Sequence, residues 1–252
     1  LLIAPSISKA ITTDQVVGIS VLLAGQRFQA KGLQAFAGFS SDPSNLTNND
    51  YSYSHGVGVR LGYIQHINQQ IDFGASYTPK INMSSFDNYA GLFAEQGDFD
   101  IPSHYSLGFA YRPDNFLLIA IDFERINYSG VRSVGSPSSI PGPLGADIAP
   151  GFGWNDVSVW KIGAQYQLSD QLILRAGYNH TENPIDSADV TFNILAPGVV
   201  ETHITLGLSY KTASGNEWTL AYMNALNNEV RGDRPAVFGG GEDLIGMSQD
   251  SF

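Results

Sequence analysis

Ser158-Val-Trp-Lys-Ile-Gly-Ala-Gln-Tyr-Gln-Leu168 alternates at every position. Its even members are Ser158, Trp160, Ile162, Ala164, Tyr166 and Leu168. Its odd members are Val159, Lys161, Gly163, Gln165 and Gln167. Val200–Tyr210 repeats the rule, with Val200, Thr202, Ile204, Leu206, Leu208 and Tyr210 against Glu201, His203, Thr205, Gly207 and Ser209. Val57, Val59, Leu61 and Tyr63 alternate in the same way with Gly58, Arg60 and Gly62. A period of two means strands with one apolar and one polar face. The open question is what the apolar face touches.

The 252 residues suffice for one large all-β domain or two small ones. The longest apolar run near the middle, Phe116–Ile121, is far shorter than the roughly 20 residues a spanning helix needs. The chain has no cysteine, which excludes disulfides and thiolate metal sites. Its net charge of −11, without a basic cluster, argues against nucleic acid as a partner.

The pattern predicts ten strands and the start of an eleventh: 2–11, 16–29, 56–66, 71–83, 103–112, 116–129, 156–168, 172–182, 200–211, 217–230 and 248 onward. Short connections (Thr12–Gln15, Ile67–Gln70, Pro113–Asn115, Ser169–Gln171 and Thr212–Asn216) alternate with long ones at about 30–55, 84–102, 130–155, 183–199 and 231–247. Short turns at one end and long loops at the other mark an antiparallel up-and-down transmembrane β-barrel. Soluble sandwiches distribute long connections to both ends.

The phases agree across each short turn. Leu61 and Tyr63 share a face with Ala75 and Tyr77. Leu107, Phe109 and Tyr111 share one with Leu117, Ile119 and Ile121, and Ile162 and Tyr166 share one with Leu174 and Tyr178. A one-residue slip would break all of these agreements. Ten or more strands enclose a lumen too wide for side chains to fill, so the apolar face is assigned to lipid. Tyr63, Tyr77, Tyr111, Tyr166, Tyr178 and Tyr210 on that face are expected to form an interfacial girdle. The opposite face becomes the lumen wall, with Arg60, Asp122, Lys161, Arg175, Asn179, Glu201 and His203 as candidate ligand-facing residues. Lys161 should stand opposite Asn179, a cation beside an amide that suits a carboxylate.

In the long loops, Phe36, Phe39, Leu92 and Phe93 are candidates for extracellular capture of apolar molecules. Tyr89, Leu92 and Phe93 have the spacing of a short amphipathic helix. No His-Glu-x-x-His or Gly-x-Ser-x-Gly sequence occurs. His66 and Asp72 meet across a short turn, where a structural pair is expected. The reading is therefore a non-enzyme without a cofactor or metal.

Several segments carry a resemblance in order and spacing: Gly153-Trp-Asn-Asp156, Lys161-Ile-Gly-Ala-Gln-Tyr166, Leu174-Arg-Ala-Gly-Tyr-Asn-His-Thr-Glu-Asn-Pro184, Ala196-Pro197, Glu201-Thr-His203 and Leu206-Gly-Leu-Ser-Tyr210. Together they resemble the FadL/TodX family of outer-membrane transporters. The resemblance implies a barrel of about 14 strands in the Gram-negative outer membrane, plugged by an N-terminal hatch. Residues 1–252 would then be one partial barrel domain of about 10–11 strands, without the hatch, the first strands and the end of the last strand. It also implies passive transport of long-chain fatty acids or other hydrophobic compounds, contact with outer-membrane lipid and lipopolysaccharide, and a monomer when full length. A porin for polar solutes and a surface adhesin or receptor barrel are the alternatives.

Overall fold

The computed structural model describes all residues, Leu1–Phe252. Twelve strands are present: β1 (Leu2–Ile3), β2 (Ser6–Ala10), β3 (Gln15–Phe28), β4 (Ser52–His66), β5 (Ile71–Thr78), β6 (His104–Tyr111), β7 (Leu117–Ile126), β8 (Val157–Gln167), β9 (Leu172–Thr181), β10 (Thr202–Lys211), β11 (Glu217–Asp233) and β12 (Glu242–Ser251). They form one antiparallel meander in chain order, with β1 and β2 both on β3, and the sheet is open with β12 at its far edge.

β1 and β2 are one strand broken at Pro5. Leu2 faces Ala24 and Ser6 faces Ser20, which is the same register. The Pro5 carbonyl accepts the Val21 N–H at 3.0 Å, but proline has no N–H to return. Proline is tolerated here because this is an edge strand.

The expected registers hold. Leu61 faces Tyr77 and Tyr63 faces Ala75. Tyr111 faces Ile119. Lys161 faces Asn179 and Tyr166 faces Leu174. On the apolar face, Trp160 is 54% exposed to solvent and Leu206 55%. Only 37 of the 252 residues are buried. That is too few for the sheet to enclose a dry core, so its apolar face is completed by lipid. Tyr63, Tyr111, Tyr166 and Tyr210 stand within four residues of the short turns. Tyr77 and Tyr178 do not; they sit seven residues above a turn, level with Tyr105 and Phe123.

Two expectations need correction near the C-terminal end. The last strand begins at Glu242 rather than at residue 248, and β11 continues to Asp233. The last long loop therefore shrinks to 234–241, the tip of a tall hairpin. β11 carries a one-residue bulge between Ala225 and Asn228, which changes the phase of its period-two pattern. Below the bulge Ala225 points inward and is 1% exposed. Above it Asn228, Val230 and Gly232 take over the inner face. Bulges re-aim side chains in this way. Asn228 Nδ2 then donates to the Val199 carbonyl at 2.9 Å. A Cβ on Gly232 would fall 1.8 Å from the Ser187 carbonyl oxygen.

The dry clusters lie above the sheet or on its upper inner wall. One joins Leu22 and Ala24 of β3 to Ile81 and Met83 of the loop after β5. Gly56 and Gly58 make this fit. A Cβ at Gly58 would lie 2.6 Å from Ile81 Cγ1, and one at Gly56 2.5 Å from Met83 Sδ. Between lipid-facing Val57 and Val59, these glycines groove the lumen wall so that residues 81–83 can settle into it. Gly58→Val should expel Ile81 at a cost of about 1–3 kcal/mol. Lys80 is the sole Lys or Arg between residues 79 and 103. Trypsin applied to outer-membrane vesicles should therefore cut at Lys80 faster in this variant, and equal cutting would show that the groove does not seat the loop.

Candidate functional site

Five long connections form a cap over the open end of the strands. Loops 29–51, 79–103 and 127–156 are stitched by backbone bonds: Leu144 N–H to the Phe39 carbonyl (2.7 Å), Ser41 N–H to Leu144 (2.9 Å), Glu95 N–H to Ala146 (3.0 Å) and Gln96 N–H to Gly145 (2.9 Å). Glu95 and Gln96 hold left-handed backbone, φ 54° each, to present these amides. The Tyr89-Leu92-Phe93 spacing does not form one amphipathic helix. Two single turns, 87–89 and 94–97, flank the segment instead. Tyr89 is fully buried, and its hydroxyl donates to the Asn49 carbonyl (2.9 Å) and accepts the Ala30 N–H (3.0 Å).

The Gly153-Trp154 motif is a clasp to loop 182–201. Trp154 Nε1 donates to Asn193 Oδ1 at 2.6 Å, and Asn193 Nδ2 donates to the Phe152 and Asp189 carbonyls. Gly153, at φ 68°, leaves no room for a Cβ beside the Asp189 carboxylate, 2.2 Å away.

These loops enclose a cavity of about 570 Å³, within the range of small-molecule sites. Its walls include Phe28, Leu33 and Phe36 from the first loop region and Leu92 and Phe93 from the second. Phe152 comes from the third, Phe192, Ile194 and Leu195 from the fourth, and Phe238 from the hairpin tip. Of the four capture candidates, Phe36, Leu92 and Phe93 line the cavity. Phe39 lies beside it, its ring centroid 5.9 Å from that of Phe238. Phe152, Phe192 and Phe238 were missed in the sequence. The signals available were the Val190-Thr-Phe-Asn-Ile-Leu run and the phenylalanine before Gly239-Gly-Gly.

One corner is polar. Arg234 pairs with Asp243, its Nε (2.8 Å) and its Nη2 both donating to Oδ1. Thr191 Oγ1 donates to Asp243 Oδ2 at 2.9 Å. The ion pair cancels its own charge. Lys31, also on the wall, takes part in no ion pair within the chain.

The lumen candidates stand elsewhere, below the cap. Asp122, Lys161, Asn179 and His203 form one row across β7 to β10. Lys161 Nζ turns to Glu124 (2.8 Å) rather than to Asn179. Asn179 Oδ1 and His203 Nδ1 are buried and make no hydrogen bond to protein. Arg60 Nε donates to Thr78 Oγ1 (2.9 Å), and Arg175 bridges Gln165 (2.8 Å) and Ser209 (2.7 Å). Glu201 immediately precedes β10, its carbonyl accepting the Thr181 N–H at 2.8 Å. At the opposite end of the strands, His66 Nδ1 meets Asp72 Oδ1 at 2.6 Å, and Arg112 takes the other oxygen.

An open meander with lipid on one face, a polar inner face and long loops gathered at one end defines an outer-membrane β-barrel. The family described as outer membrane protein transport protein (OMPP1/FadL/TodX) matches residues 14–231. The chain belongs to this family, whose members are Gram-negative outer-membrane barrels. In fold it is similar to the Pseudomonas putida toluene transporter TodX, at 20% identity over 96% of this chain and 65% of that one, TM-score 0.61. It is also similar to a Pseudomonas aeruginosa FadL homologue, at 17% identity over 97% and 64%, TM-score 0.61. The Ralstonia pickettii toluene transporter TbuX gives 16% identity over 98% and 65%, TM-score 0.58. The chain thus spans about 65% of the length of these solved relatives. No curated protein matches it in sequence.

One cap carboxyl stands out. Asp98 is pushed up to about 6, first by burial, then by the charge of Asp100 and the hydrogen bond to it, then by Glu95, with Lys80 opposing. Asp100 itself is held by Lys80 (2.8 Å) and by the Met83 N–H (2.7 Å). A carboxyl raised in the folded state stabilises the fold only while protonated. That contribution is complete below about 4 and is lost as pH rises through about 6. The Ile101 amide, bonded to the Ile81 carbonyl at 3.1 Å, should exchange hydrogen faster at pH 7.5 than at pH 5 after correction for intrinsic rates. Asp98→Asn should abolish the difference; if the difference survives, Asp98 is not its source.

Proposed function

We propose that this chain forms the wall and outer cap of a passive transporter for hydrophobic compounds, with the cap cavity as the station that first receives cargo. The observation carrying this reading is the cavity. Phenylalanines from every one of its loop regions converge on a space the sheet does not need for its own stability. A purely structural cap would fill that space, because empty apolar volume costs stability. Burial of cargo apolar surface, about 25 cal/mol per Å², supplies the drive to leave water, and neither nucleotide nor ion coupling is required.

The cargo is a long-chain fatty acid or a compact hydrocarbon. The volume accommodates either, and Lys31 on the wall suits a carboxylate head. Below the cap, Lys161, Asn179, His203, Glu201, Arg60, Arg175 and Asp122 act as lumen wall. The tyrosines nearest the short turns anchor one membrane interface.

The test uses the full-length barrel in proteoliposomes with the neutral fluorophore N-phenyl-1-naphthylamine. Phe36→Asp places a charge in the cavity and should weaken binding about tenfold or more, while the barrel retains its heat-resistant migration. Binding equal to wild type would remove the cavity from the pathway. Displacement by oleate that weakens in Lys31→Met, with displacement by toluene unchanged, identifies fatty acid as cargo. Oleate uptake unaffected by deletion of the gene would exclude fatty acid.

A further inference from the structure

The tip of the β11–β12 hairpin is built unlike the rest of the cap. Its base is fixed. Arg234 clasps Asp243, Thr191 bonds the same carboxylate, and Ile245 is buried with Ile185, Val190 and Val199. Above the base, Arg234 N–H closes onto the Gly241 carbonyl at 2.8 Å, and one short turn, Ala236–Phe238, completes the tip. No hydrogen bond leaves residues 235–241 for another loop.

Gly239, Gly240 and Gly241 follow in succession at φ 98°, 65° and 99°. A Cβ at any of the three would meet nothing within 4 Å. Crowding therefore does not explain these glycines. They permit a left-handed backbone that other residues resist, and their backbone bonds stay within the hairpin tip, Gly239 N–H to Ala236 and Gly240 N–H to Pro235. Across the cavity mouth the tip holds on by one ring. Phe238 packs against Phe36 at 5.4 Å between centroids and against Phe39 at 5.9 Å. Val237 beside it is 63% exposed.

A rigid base, a triple-glycine pivot and a single aromatic latch are the parts of a gate. We propose that the hairpin tip swings as the gate of the cap cavity, with Phe238 as its latch on Phe36 and Phe39. This rests on the transport reading above and adds to it the step that controls entry. An apolar solute replaces the ring-on-ring contact as it enters, so opening needs no other ligand.

Stopped-flow mixing of N-phenyl-1-naphthylamine with the full-length protein in proteoliposomes separates gate from wall. If opening limits entry, Phe238→Ala should speed association about tenfold. If Phe238 is merely a wall residue, only dissociation accelerates, and the proposal is overturned. A second measurement keeps the latch intact. Residues 1–252 contain no cysteine, so Val237→Cys, in a full-length protein with any cysteine outside them replaced by serine, carries a single spin label, whose line shape should sharpen when the fluorophore is added at saturation. An unchanged line shape in a protein that binds the fluorophore also overturns the gate. A wild-type protein that binds no fluorophore overturns the transport reading itself.

Discussion

In hydrocarbon no water is present to satisfy a backbone N–H or C=O, so each must be paired inside the protein. The antiparallel ladder from β3 to β12 meets that demand, and everything else follows from its register. Once Lys161 is fixed opposite Asn179 and Asp122, side-chain period two decides which residues meet lipid and which meet the lumen. Trp160, Ile162 and Tyr166 can then remain exposed, since lipid replaces a core. Stability of the sheet comes from hydrogen bonds shielded by lipid, and it leaves almost no apolar side chains for a dry interior.

The dry packing is displaced to the cap, where water is present again. There the chain behaves like a small soluble protein whose only regular elements are short helical turns. Tyr89, Phe86 and Phe93 form one buried cluster and Val190, Val199 and Ile245 another. The loops are linked by sets of individual polar contacts, such as Trp154 on Asn193 and Asn193 on the Phe152 carbonyl. Loops that bury little apolar surface must satisfy their polar groups one at a time. The left-handed residues Glu95 and Gln96 are the cost of turning two amides toward loop 127–156.

The strands were legible because lipid imposes a one-dimensional rule on a local pattern. Ser158–Leu168 states its face in every residue, and the registers across short turns followed from it. The β11 bulge broke that rule. Asn227-Asn228 shifts the phase by one residue, and the strand expected over 217–230 stops three residues short of Asp233; Glu242–Met247 of β12 read as loop because they follow Gly239-Gly-Gly directly. The cavity was half legible. Phe36, Leu92 and Phe93 were conspicuous as apolar residues in polar loops, but nothing local could bring Phe192 and Phe238 beside them. Their convergence depends on contacts between residues distant in sequence. Lys161 shows the same limit on a smaller scale. Backbone register placed it opposite Asn179, while its four-carbon stem let the ammonium choose the carboxylate of Glu124.

On the proposed function, the division of polarity along the molecule bears on how transport without energy coupling can be directional in effect. On the lumen wall the Lys161 ammonium pairs with the Glu124 carboxylate, and the Arg175 guanidinium donates to the neutral oxygens of Gln165 and Ser209. Exposed pairs of this kind contribute only about 0–1 kcal/mol each. Their physical effect is rather to keep the wall wet and unattractive to an apolar solute. The cap offers the opposite surface, with aromatic rings and a self-neutralised Arg234–Asp243 pair. On the proposed function, a hydrophobic molecule therefore finds its most favourable well within this chain in the cap. On the proposed function, net movement inward then depends on occupancy of that well and on what receives the cargo next. A cap that concentrates dilute cargo and admits it through a weakly latched mouth is the arrangement this requires.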